Sequence, residues 1–189
     1  MDNFHYCRGN LNMNVMRLIR PTAEYSEDIW AFRREFLENS TDEDMGGCGK
    51  LRECSSAEEW LSQVEALTNP ETCPEGMITA DTYIAVRSCD NKIVGITDIR
   101  HNLNTPVLRE WGGHIGYCVR PDERRKGYAK EMLRLNLNNG RRLGLKRIMG
   151  SCNVNNIASE RTILANGGVF ERETKDGSGH RIKLYWIEL

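Results

Sequence analysis

No apolar run in this sequence approaches the ~20 residues that a membrane-spanning helix needs. The first fifteen residues, MDNFHYCRGNLNMNV, also lack the apolar stretch of an export signal. Both absences predict a soluble, cytoplasmic protein with no membrane partner. Cysteine occurs seven times in 189 residues, without a C-x-x-C pair and without the His spacing of a zinc site. An odd, scattered set of cysteines reads as reduced thiols, and no metal is expected. Net charge is nearly absent, with 26 Lys+Arg against 27 Asp+Glu. No C2H2 spacing or RNP-like aromatic motif accompanies the basic residues, so no nucleic-acid partner is expected. The run Gly46-Gly47-Cys48-Gly49-Lys50 is not a phosphate-binding P-loop, because Leu51 stands where Ser/Thr is needed and Asp44 where the first Gly is needed.

What is present begins with length. A chain of 189 residues suits one domain with a real core, read as residues 16–189 behind an N-terminal arm of residues 1–15. The small net charge hides a separation. Residues 120–147 carry ten Lys/Arg against three acids, a surplus of seven, whereas residues 24–75 hold fourteen acids and four bases. Such patterning predicts a basic region and an acidic region on one molecule.

Hydrophobic periodicity supplies the elements. Met16–Arg20 alternates as a strand. Thr22 is expected to cap a helix with Ile29, Phe32, Phe36 and Leu37 on its buried face. A polar, Gly-rich loop follows over 40–54. Ser56-x-x-Glu59 is a capping box for a helix burying Trp60, Leu61, Val64 and Leu67. Strand signals run over 82–87, 93–100 and 111–119. A helix follows over 126–139, then a strand over 146–151, a helix from Asn155/Asn156 to Asn166, and a closing strand pair over 169–174 and 181–188. The fold class is α/β (mixed α+β): one mixed, mostly antiparallel sheet with helices on both faces.

The most informative stretch joins a strand to an amphipathic helix: Arg120-Pro121-Asp122-Glu123-Arg124-Arg125-Lys126-Gly127-Tyr128-Ala129. A helix start offers amide N–H groups without internal partners at the positive end of the helix dipole. The small Gly127 and Ala129 let a phosphate approach the backbone. Arg124-x-x-Gly127-x-Ala129 resembles the acetyl-CoA-binding signature of the GCN5-related N-acetyltransferase (GNAT) superfamily, including a little-characterised bacterial branch. Downstream, Asn156-x-x-Ser159 and Asn166-Gly167-Gly168-Val169-Phe170 resemble that family's later helix and turn. The resemblance covers about residues 16–189.

It implies a GNAT-like acyl-CoA N-acyltransferase fold. The implied activity is transfer of acetyl from the cosubstrate acetyl-CoA directly to a primary amine of a small molecule or peptide, in a ternary complex. The implied pyrophosphate ligands are the amides from Arg125 through Lys126, Gly127 and Tyr128 to Ala129, with Arg124 shaping the loop. Cys118 or Val119 would supply an amide to the thioester oxygen, and Asn156 and Ser159 would lie beside the pantetheine. The family's usual acidic Tyr falls on Ile163, leaving Tyr117 or Cys152 as substitutes, with protonation of the leaving thiolate by water equally open. An acceptor ammonium must lose a proton, and His114, Glu110 and His101 are the candidate bases, with His114 first because glycines surround it. The acidic loop Asp42-Glu43-Asp44 is a candidate rim for a cationic acceptor. A non-catalytic acyl-CoA-binding module is the alternative reading, and a homodimer is left open.

Overall fold

A computed structural model of the chain describes residues 15–39 and 45–189. The expected arm therefore lies outside the described residues except for Val15, as does the Asp42-Glu43-Asp44 rim. Strand β1 (Met16–Ile19) leads to helix α1 (Ser26–Asn39) and helix α2 (Ala57–Ala66). Strands β2 (Ala80–Arg87), β3 (Ile93–Arg100) and β4 (Ile115–Val119) follow. Helix α3 (Tyr128–Arg142), β5 (Arg147–Asn153), helix α4 (Ile157–Leu164), β6 (Val169–Lys175) and β7 (Arg181–Glu188) complete the order. The alternation of strands and helices is the one expected from periodicity.

The sheet itself is divided. One part has the order β1-β2-β3-β4 and the other β5-β7-β6, with every pairing antiparallel. Both faces carry helices, and only one of them spans the division. On one face, Ile29, Phe32 and Phe36 of α1 and Trp60 and Val64 of α2 pack against Ile84, Val86 and Ile96. On the other, Leu133 and Leu137 of α3 and Ile163 of α4 share a core with Ile99 and Ile115 of the first sheet and Ile148 and Tyr185 of the second. Burial across the division, rather than a continuous hydrogen-bonded ladder, joins the two sheets.

Local differences from the periodic reading have local causes. Ser56 does cap α2, accepting from the Glu59 N–H at 3.2 Å, although the Glu59 carboxylate reaches back to Ser55 instead. Thr22 makes no side-chain cap; a 3₁₀ turn over Ala23–Tyr25 precedes α1, and Leu37 is 41% exposed. The strand expected from Trp111 begins only at Ile115. Residues Leu108–Gly112 form a wide turn, and Gly113 follows at φ +69°, a left-handed conformation that ends any extended run.

Candidate active site

The division falls between β4 and β5, and one residue marks where the strands still touch. The His114 N–H donates to the Met149 carbonyl at 2.8 Å, and the Met149 N–H donates to His114 Nδ1 at 2.9 Å. An imidazole nitrogen here takes the place of a strand carbonyl. A Cβ at Gly113 would lie 2.7 Å from the Met149 oxygen, so this approach requires glycine. Beyond that contact the described residues show no hydrogen bond between β4 and β5, and a gap opens.

Strand parity decides which β4 groups face the gap. The Arg120 N–H donates to the Val94 carbonyl, so even-numbered residues of β4 turn their backbone groups toward β3 and odd-numbered ones toward β5. Tyr117 and Val119 therefore present N–H and C=O to the gap, and the Val119 carbonyl accepts from Arg124 Nε at 3.4 Å. Of the two expected amides, that of Val119 faces the gap. Cys118 does not: its backbone belongs to the β3 ladder, and its thiol lies 3.2 Å from that of Cys48 on the α1 side.

At the mouth of the gap the chain turns through Pro121–Glu123 into α3. Arg125 (φ +63°) and Gly127 (φ +88°) are both left-handed, which bends the loop so that amides of the first helical turn point outward. The N–H groups of Gly127, Tyr128 and Ala129 donate to no group among the described residues. No described atom lies within 4 Å of a Cβ built on Gly127. The Tyr128 ring, by contrast, is buried against Met132 and Ala85, so only its backbone is at the loop surface.

The candidate bases separate clearly. His114 is 6% exposed, and burial is the main reason its pKa is pushed down to about 4, with Arg100 and Arg147 adding to the effect. Because Nδ1 accepts from Met149, the ring proton sits on Nε2, and the acceptor lone pair is already used. His114 is thus corrected from base to strand contact. Glu110 is exposed on the wide turn before β4. His101 stands beside Asp81, with Nε2 3.3 Å from its carboxylate.

Tyr117 bridges the α4 side of the gap, its hydroxyl 2.9 Å from Ser159 Oγ. Burial holds its pKa up at about 12, so it stays protonated. Asn156 caps α4 by accepting from the Ser159 N–H at 3.0 Å, which fixes the Ser159–Tyr117 pair in turn. Ile163 is buried; a Cβ on Gly168 would meet it at 2.4 Å and one on Gly150 at 3.4 Å, so this position belongs to the core. Cys152 is buried, and burial with nearby Glu160 raises its pKa to about 11.

Asp98 was missed by the sequence reading. It lies in the apolar strand Ile93–Arg100, is 7% exposed and has its pKa raised by burial. Its Oδ1 accepts from the Gly116 N–H at 2.7 Å, and Oδ2 is 3.2 Å from Arg100. On the opposite face, Thr97 Oγ1 donates to the Gly116 carbonyl at 2.8 Å, and Asn136 of α3 donates to Thr97 Oγ1 and to the Asp98 carbonyl. The only advance signal was a charged residue at a position whose neighbours all read as core.

The charge windows turn out to be partners in part. Arg120 is 1% exposed and reaches Asp28 and Glu35 of α1, each at 2.8 Å. Lys126 pairs with Glu123, and Arg134 with Glu131, so several of the basic residues are neutralised internally. Among the described residues no helix is long and apolar enough to cross a membrane, and no group of three or more His, Cys, Asp or Glu is placed to hold a metal.

Residues 16–169 match the family model of the Acetyltransferase (GNAT) domain. Solved structures share the fold at low identity. RimL, a ribosomal L7/L12 alpha-N-protein acetyltransferase in complex with coenzyme A, gives a TM-score of 0.64 at 19% identity, covering 92% of this chain and 94% of that one. An acetyl transferase from Salmonella typhimurium that modifies the N-terminal serine of the 50S ribosomal subunit protein L7/L12 gives 0.62 at 19%, covering 94% and 97%. The microcin C7 self-immunity acetyltransferase MccE, in complex with acetyl-CoA and AMP, gives 0.60 at 16%, covering 92% of each chain. No curated protein sequence matches the chain.

Proposed function

The chain belongs to the GNAT acetyltransferase family, and on that premise we propose that it moves acetyl from acetyl-CoA directly to a primary amine of a small molecule or peptide within a ternary complex. The observation that carries this reading is the gap between β4 and β5, with the Gly127, Tyr128 and Ala129 amides, which bond to no described residue, at its mouth.

The residues present suit the cosubstrate. Three unbonded amides at the start of a 15-residue helix suit a pyrophosphate, through both hydrogen bonding and the helix dipole. Arg124 and Arg125 add charge beside them, and Lys126 stands next to Glu123. The backbone edges of Tyr117 and Val119 suit an extended amide-bearing arm. Acetyl-CoA, when bound, supplies an acyl group activated as a thioester. The Val119 N–H is positioned to donate to an oxygen that gains negative charge, and that stabilisation costs no reorganisation because the strand is already fixed. Tyr117 is held protonated by burial, and its hydroxyl is engaged with the Ser159 hydroxyl and carbonyl on the α4 side.

Thiol release from acetyl-CoA, measured with a panel of small amines and N-terminal peptides, tests the proposal. Release together with an acetylated product of the matching mass is the expected result. Binding of CoA with no release above background across the panel would leave a binding module instead.

A further inference from the structure

We propose that Cys48 and Cys118 are a disulfide-forming pair, a modification site at which hydrogen peroxide links the turn at 45–49 covalently to β4. This inference stands independently of the acetyl-transfer reading.

The two cysteines are 70 positions apart in the chain, yet the fold places their sulfurs 3.2 Å from each other. Backbone contacts on both sides fix that approach. Cys118 lies within β4, registered against Ile96 of β3. Cys48 sits in a turn closed by its own hydrogen bonds. Its N–H donates to the Met45 carbonyl at 3.0 Å, and its carbonyl accepts from the Leu51 N–H at 3.1 Å and from the indole N–H of the buried Trp60 at 2.7 Å. Two glycines let the turn lie against β4. A Cβ on Gly46 would come 3.2 Å from the Tyr117 carbonyl oxygen, and one on Gly47 only 2.5 Å from that of Gly116. A side chain at Gly47 would lift the turn, so this glycine helps to set the distance at which the sulfurs meet. Two reactive atoms held together by a fixed scaffold meet at a high effective concentration.

Other described thiols are placed differently. The Cys54 thiol donates to the Lys50 carbonyl at 3.2 Å, and burial pushes its pKa up. Burial, with Glu160 nearby, raises Cys152 to about 11. Cys73 is half-buried and Cys89 exposed, so these two compete for a reagent in solution.

A small reagent has a short path to the pair. Cys118 keeps 8% exposure, and its neighbours Tyr117 and Val119 are part-exposed at the gap. Gly49 and Lys50, next in the chain after Cys48, are exposed, and no described atom lies within 4 Å of a Cβ built on Gly49. Hydrogen peroxide is little larger than water and suits such access. Cys118, the more exposed of the two, is the thiol it meets first.

The step balances with peroxide as the oxidant. The Cys118 thiolate attacks one peroxide oxygen, the O–O bond breaks, and the departing hydroxide takes the thiol proton to leave as water, giving a sulfenic acid. The Cys48 sulfur then attacks the Cys118 sulfur, the S–O bond breaks, and a second water leaves with the Cys48 proton. Two thiols and one peroxide become one disulfide and two waters, the sulfurs giving up the two electrons that the peroxide gains. The sulfurs close from 3.2 Å to about 2.05 Å in forming the bond.

The test treats the native full-length chain with hydrogen peroxide, alkylates the remaining thiols under denaturing conditions, and digests with trypsin without reductant. Peptides 35–50 and 110–124 each hold one cysteine, so mass spectrometry identifies their linkage directly. The expected product is that linked pair, two hydrogens lighter than the separate peptides and split by dithiothreitol. Cys48→Ser should abolish it and leave Cys118 oxidised to the sulfenic or sulfinic acid. Gly47→Ala, which lifts the turn, should slow linkage several-fold. Linkage of wild type through any other cysteines in place of this pair, or recovery of Cys48 and Cys118 both alkylated after peroxide treatment, would overturn the assignment.

Discussion

The two edges of β4 treat the same short strand in opposite ways. Toward β3 the edge is closed: the backbone ladder runs from Gly95 to Ile99, and Asp98 and Thr97 clasp the Gly116 peptide from its two faces. Toward β5 the edge is held at its start by His114 and Met149, and beyond that no described residue of β5 bonds to it. A closed edge gives rigidity, and a bare edge gives binding groups. The proposed acetyl transfer uses both, because unpaired strand amides suit a ligand only if the strand carrying them is held in place.

Breaking the closed side should cost most. Arg120 continues β4 and donates to the Ile93 carbonyl as well as to Asp28. Arg120→Ala strands those partners and opens a cavity, so a loss of about 3 kcal/mol or more in denaturant unfolding is expected. The open side has a comparable but pH-dependent dependence on His114. Its pKa is held near 4 in the fold against 6.5 when exposed. Below pH 6.5 the unfolded chain therefore binds a proton that the folded chain refuses. Stability should fall as pH drops from 6.5 to 4, by about 3 kcal/mol. His114→Asn keeps an acceptor for the Met149 N–H without a titrating group, and its unfolding free energy should lose that slope. An unchanged slope would mean that the imidazole is not the contact between the strands.

Smaller effects probe the fit on each side. Gly116→Val forces a methyl group against the Gly47 backbone and should cost about 1–3 kcal/mol through overpacking. At the mouth of the gap, Gly127→Ala meets no neighbour, so its penalty is only the left-handed backbone, about 1 kcal/mol. Arg125→Gly should return about the same amount, by relieving φ +63° at a non-glycine. Paired thermal-melt and CoA-binding measurements would separate these two: if Arg125→Gly weakens binding well beyond its loss of one charge, the left-handed bend itself helps to set the cradle.

Much of the scaffold was legible because it is written in short-range patterns. The stripe Ile29, Phe32, Phe36 fixed the buried face of α1, and Ser56 with Glu59 marked the start of α2. Arg124-x-x-Gly127-x-Ala129 located the turn into α3. His114 illustrates the opposite case. Its glycine neighbours suggested room for a ligand, yet Gly113 is needed to bring Met149 close. Asp98 gave only a faint signal because its significance comes from Gly116 on the next strand and Gly47 in a distant turn.

The sequence by itself determined the order of elements, the helix start that offers free amides, and the family to which those motifs point. Periodicity, capping and backbone freedom act over a few residues and can be read in order. Only the tertiary structure decided which strand edge stays open, that Val119 rather than Cys118 faces the gap, and that Arg120 is bound by Asp28 and Glu35 instead of facing a ligand. Those outcomes depend on strand parity and on the cost of burying a charge without a partner, and both are set by residues brought together from far apart in the chain.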